Sequence, residues 1–174
     1  MNLEKYDAFI EEQKNYFNQN LQSNFKWDWN DSSWYGGTIG SGWLLSRSGK
    51  THFTFGTIKK LKGIENNNID PVFQEFIKSV LILSYRKSNS KASPQKLYSE
   101  FLILKRWFSA LYTESTDNVH PCQLSTSILN KSFEILVENS SKTNLPDHAG
   151  TYLRLQEMLN HYGITEQPLE FSQK

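Results

Sequence analysis

A single cysteine, Cys122, occurs among 174 residues, so the chain can form neither an intramolecular disulfide nor a cysteine metal cluster. Long hydrophobic runs are missing as well. The most apolar stretch, Val80–Leu83, is four residues, against the roughly 20 that a membrane-spanning helix needs. The start of the chain carries Glu4, Asp7, Glu11 and Glu12, which leaves no room for the apolar centre of a signal peptide. A reducing cytoplasm is the expected setting.

Signatures of chemistry are equally scarce. The four histidines, His52, His120, His148 and His161, are never three or four residues apart, so no helical metal pair can form. Neither a Gly-x-Ser-x-Gly elbow, a His-Glu-x-x-His pair nor a dinucleotide-binding glycine pattern is present. Ser48–Gly49–Lys50–Thr51 ends like a phosphate-binding loop, but Leu44 stands where the leading glycine belongs, and the tetrapeptide reads as a turn. Glu11–Glu12 reads as a solvated helix face. Cys122 lies beside His120 in a loop, without a spacing that assigns a nucleophile and its base. The expectation is a chain that is no enzyme by itself, with no metal and no cofactor.

What is abundant is aromatic surface. Eleven Phe, eight Tyr and five Trp offset an apolar fraction of only 37%, because each ring removes a large area from water. Charge is unevenly placed. Residues 1–57 carry five basic and six acidic side chains, residues 58–111 ten and four, and residues 112–174 four and eight. The balances of −1, +6 and −4 give the net +1 and put one polyanion-facing surface in the middle. A chance cluster of solvated lysines would give the same totals.

The periodicity predicts a mainly α protein. Leu3–Leu21 places Tyr6, Phe9, Ile10, Phe17 and Leu21 at helical spacing. In 25–56 that period disappears, Trp27, Trp29, Trp34, Tyr35 and Trp43 alternate with glycines, and Gly42–Ser46 and Thr51–Phe55 read as a β-hairpin about Arg47–Lys50. Four helices follow within about 70–163. Asp70–Pro71 starts the first, with the stripe Val72, Phe73, Phe76, Val80 and Leu83. Ser93–Pro94 starts the second, with Leu97, Phe101, Leu104, Phe108 and Leu111 inward and Lys96, Lys105 and Arg106 outside. Ser125–Glu138 makes the third, and Asn144–Tyr162 the fourth, stopped by Gly163. The expected organisation is a helix with an aromatic-rich hairpin region at 1–65, then a four-helix bundle domain at 66–174.

Asp70 to Phe171 resembles the core-binding region of tyrosine recombinases, the phage-integrase type. The resemblance lies in Phe73–Lys78 leading to Leu83–Ser84–Tyr85–Arg86, in Leu102–Leu111, and in Leu124–Ser125 followed by Tyr152–Leu159, Ile164 and Pro168–Phe171. It is one of helix order, spacing and scattered identities rather than of a single diagnostic motif. It implies a helical domain that forms one half of a clamp around DNA. The family's other half is catalytic, with a tyrosine nucleophile, two arginines and a His-x-x-Arg element. That element is missing: the residues three after the histidines are Phe55, Gln123, Thr151 and Ile164. The chain ends near where that half would begin.

DNA binding draws affinity from cations that neutralise phosphates, helped by N–H groups at helix starts. The candidate DNA-binding residues are Lys91, Lys96, Lys105, Arg106, Lys142 and Arg154. The expected partners are double-stranded DNA and further copies of the chain on it, with no membrane and no small-molecule substrate. The alternative is a protein-interaction or regulatory module of a mobile element that contacts its partner through the Trp-rich region.

Overall fold

The computed structural model describes residues 3–21, 28–36, 51–56, 68–88, 94–114, 119–139 and 141–172. Helix α1 (Leu3–Tyr16) widens at its end into a π-helical turn, Phe17–Leu21. Strands β1 (Ser33–Gly36) and β2 (Thr51–Thr54) follow, then α2 (Pro71–Lys87), α3 (Pro94–Glu114), α4 (Thr126–Asn139) and α5 (Leu145–Tyr162). This is the expected mainly helical architecture, with four helices preceded by a helix and a strand pair.

Local chemistry sets the helix ends. The Asp70 side chain accepts from the Val72 N–H at 2.9 Å, and Pro71 supplies a first helical position that needs no donor. Ser125 Oγ accepts from the Ile128 N–H at 3.2 Å to open α4. Gly163, with φ 62°, closes α5 in the left-handed conformation that side chains disfavour, its N–H reaching the Leu159 and Asn160 carbonyls.

β1 and β2 pair antiparallel, Ser33 opposite Thr54 and Gly36 opposite Thr51. The described partner of Thr51–Thr54 is therefore Ser33–Gly36, where the sequence suggested Gly42–Ser46. That segment and the turn at Arg47–Lys50 lie outside the described residues. The register sets Trp34 directly across from Phe53, and both are fully buried. Burying a tryptophan removes a large apolar area from water, which favours this pairing.

Helix α2 is the axis of the protein. Every residue from Phe76 to Tyr85 is buried, including Lys78, Ser79 and Ser84, so the helix is enclosed on all sides rather than on one stripe. Val72, expected on the inward stripe, is 40% exposed instead. It lies in the first turn, one residue before the inward row that Phe73 begins. Helix α1 docks on α2 through Phe9 against Phe76 and through the Tyr6 hydroxyl, which donates to the Val72 carbonyl. Arg86 is held there, donating to Gln13 Oε1 at 2.8 Å with its guanidinium over the Tyr16 ring. Residues 164–172 return along α5, where Asn160 both donates to and accepts from the Leu169 backbone and Phe171 packs on Phe133 and Tyr152.

One cluster of buried side chains runs from Tyr6 to Phe171, and it joins α1 and the strand pair to the four helices. Phe76, Leu97, Phe101, Leu104, Phe108, Tyr152, Leu155 and Leu159 all lie within it, as their spacing predicts. Leu104→Ala should cost about 2–5 kcal/mol, measured by urea unfolding, because a fully enclosed site collapses poorly around the lost atoms. Among the described residues no helix is long and apolar enough to cross a membrane.

Candidate nucleic-acid interface

Lys96 and Arg106 lie on α3 and Arg154 on α5, two helices that pack together along a seam. Near one end Arg154 Nη2 donates to Glu100 Oε1 at 2.5 Å. Farther along α3, Arg106 lies close enough to Tyr152 and His148 for its charge to bear on both. Tyr152 and His148 precede Arg154, so the two helices run antiparallel. From Lys96 to Arg106 helix α3 rises about 15 Å.

At its Lys96 end the seam opens into a cleft of about 100 Å³ lined by Ser84, Lys87, Lys96, Leu97, Glu100, Arg154 and others. Three helices supply its cations: Lys87 from the last turn of α2, Lys96 from the first turn of α3, and Arg154 from α5. The start of α3 adds the positive end of its dipole. Glu100 forms the floor, its side chain 2% exposed against 42% for the Arg154 that covers it. Among the residues that line the cleft, three are cations and one is a carboxylate.

The six sequence candidates fare differently. Lys96 is exposed at the cleft, and Lys142 is exposed in the 3-10 turn before α5. Arg154 reaches the same cleft through its pair with Glu100, and Arg106 is half-buried, its Nε without a hydrogen-bond partner. Lys91 lies outside the described residues. Lys105 must be corrected: it is only 6% exposed, its amine donates to Thr54 Oγ1 and lies 4.2 Å from the centre of the Phe101 ring. Burial pulls that amine down to about 8. The helix meets β2 on this side, so a position outside the apolar stripe is still interior. Lys105 is a strut between α3 and β2, and it cannot reach a phosphate from there. Lys87 was not singled out from the sequence, where a cation in a last helical turn reads as a complement to the helix dipole.

Other polar groups are hydrogen-bonded within the fold. His120 Nδ1 accepts from the Cys122 backbone N–H, and the ring sits edge-on to Tyr6, so the adjacent pair caps a 3-10 turn at Pro121–Gln123. Tyr152 shares a hydrogen bond with Ser132 Oγ at 2.9 Å beside Arg106, but burial pushes its hydroxyl up to about 12. An activated nucleophile needs the opposite shift. Among the described residues no group of three His, Cys, Asp or Glu side chains is placed to hold a metal ion. Trp29, Trp34 and Trp107 are buried core residues, while Trp27 and Trp43 lie outside the described residues.

No family model, curated protein or solved structure matches this chain.

Proposed function

We propose that the chain binds double-stranded DNA and does no chemistry by itself, as the DNA-binding region of a site-specific recombinase of the tyrosine type. The observation that carries this reading is the convergence of Lys87, Lys96 and Arg154, from three helices, on one cleft at the start of α3. Long side chains of one sign are brought together against their mutual repulsion, and an anion relieves that repulsion. Arg106 and Lys142 extend the same sign toward the other end of the seam, as an elongated polyanion requires. The resemblance of residues 70–171 to a core-binding region supports DNA as that polyanion.

Binding should be weak, because the acidic C-terminal third opposes it and a clamp holds with two halves. If about four cations (Lys87, Lys96, Arg106 and Arg154) meet phosphates, log affinity falls against log salt with a slope of roughly −3.6. Lys87→Ala with Lys96→Ala should flatten that slope by about two units while leaving the circular dichroism spectrum unchanged. Fluorescence anisotropy with a random duplex measures both. A folded chain with no salt-dependent binding at low ionic strength would defeat the proposal and put a protein-contact module ahead.

A further inference from the structure

The floor of the cleft is not built for phosphate. Phosphate oxygens accept hydrogen bonds, and cations at the rim are enough to hold them. Beneath that rim lie two buried oxygens without a hydrogen-bond partner among the described residues, Glu100 Oε2 and Ser84 Oγ. Glu100 is 2% exposed and Ser84 8%, so neither oxygen faces open solvent. An orphaned carboxylate oxygen costs several times what an orphaned neutral acceptor does, and native proteins leave few. What it lacks is a donor. The cleft, at about 100 Å³, has several times the roughly 10–15 Å³ that one ordered water occupies by the same measure.

We infer that this cleft takes a nucleotide unit carrying a phosphate and a free sugar hydroxyl, the 3′-terminal nucleotide of a DNA strand. The phosphate is held by Lys87, Lys96 and Arg154. Arg154, 42% exposed, meets the phosphate while keeping its bond to Glu100 Oε1, and the hydroxyl donates to Glu100 Oε2 and shares a hydrogen bond with Ser84 Oγ. Within an intact DNA strand every sugar hydroxyl is esterified, so only an end offers both groups together. A run of ribose 2′-hydroxyls would need acceptors repeated along the seam. The next position along it is Arg106, a cation. A free deoxynucleoside 5′-monophosphate has the same pair of groups as a strand end. This inference rests on the DNA-binding reading and narrows it to a preference for strand termini.

The test is anisotropy of the full chain at one low salt concentration with four duplexes of one sequence. These end in 3′-hydroxyls, end in 3′-deoxy sugars, are closed into a dumbbell without ends, or are made of RNA. Free deoxynucleoside 5′-monophosphate serves as competitor. The 3′-hydroxyl duplex should bind roughly tenfold tighter than the 3′-deoxy one, the size of one hydrogen bond to a charged group. Glu100→Gln and, separately, Ser84→Ala should each bring that ratio toward one. The two changes perturb the fold differently, so an unfolded variant of one leaves the other to decide. Competition by the monophosphate, lost in the same variants, assigns the site to free nucleotides as well as ends. A ratio near one in the unaltered chain overturns the inference, and salt-dependent binding of the dumbbell then leaves the DNA reading standing. RNA bound tighter than the 3′-hydroxyl DNA also overturns it, in favour of ribose recognition. No binding to any duplex, with none to the monophosphate, removes both readings.

Discussion

Trp34→Ala is expected to cost about 3–5 kcal/mol, the range for deleting a large buried aromatic side chain. Trp34 is fully buried and lies parallel to the Phe17 ring, with centroids 5.2 Å apart and an interplanar angle of 5°. Phe55 and Trp29 meet it edge-on at 4.9 and 5.7 Å, and its indole N–H donates to the Asp28 carbonyl. Four parts of the protein therefore meet at one ring: the π-helical turn after α1, the 28–31 turn, the strand pair and, through Lys78, helix α2. No neighbour can move into the gap without giving up its own packing. For a chain of this size the loss corresponds to a fall in melting temperature of roughly 6–20 °C. Calorimetry of the variant checks it; a fall of only a degree or two would mean that the strand pair contributes little to the core.

Lys78→Ala is expected to destabilise by about 3 kcal/mol or more, by leaving carbonyls unpaired as well as by removing volume. The Lys78 amine donates to the Trp29 carbonyl at 2.5 Å and the Asp31 carbonyl at 2.8 Å, between the rings of Phe55 and Trp34. Lys78→Met keeps most of the packing and still leaves both carbonyls without this donor, so it should recover part of the loss. Burial draws the Lys78 amine from the ordinary 10.5 to about 8, with Asp31 and Glu75 acting the other way. Lys105 is drawn down to about 8 likewise. Below about pH 8 both states keep these protons and the cost of burying them is fully present. Between about 8 and 10.5 the unfolded chain holds more protons than the folded one, so stability rises with pH. Above about 10 the unfolded tyrosines ionise while burial holds Tyr6 and Tyr152 protonated, and stability falls again. Urea midpoints across this range should therefore pass through a maximum, and the rise should shrink in Lys78→Met. A steady decline from neutral pH would contradict the assignment.

The basic patch shows how far a linear reading reaches. Spacing on α3 identifies Leu97, Phe101, Leu104, Phe108 and Leu111 as inward, and they are. The same spacing puts Lys105 outside, and it is not. A stripe rule assumes one buried face, but α3 packs against α2, α4, α5 and β2, so its buried arc is wider than the stripe. Lys87, Lys96 and Arg154 are separated by loops and whole helices in the sequence. Nothing local distinguishes them from other surface cations. Glu100 is one of 18 carboxylates, and only its place beneath Arg154 sets it apart.

By itself the sequence determined the class and number of helices, their start and stop residues at Asp70, Ser125 and Gly163, and most of the core. These follow from interactions within a few residues, where hydrophobic period and capping chemistry suffice. Only the tertiary structure decided that Thr51–Thr54 pairs with Ser33–Gly36, that Lys78 and Lys105 are interior, and that three distant cations meet over one buried carboxylate. Each of these depends on which surfaces remain free after the helices pack. That is a property of contacts far apart in the chain, and periodicity along it does not record them.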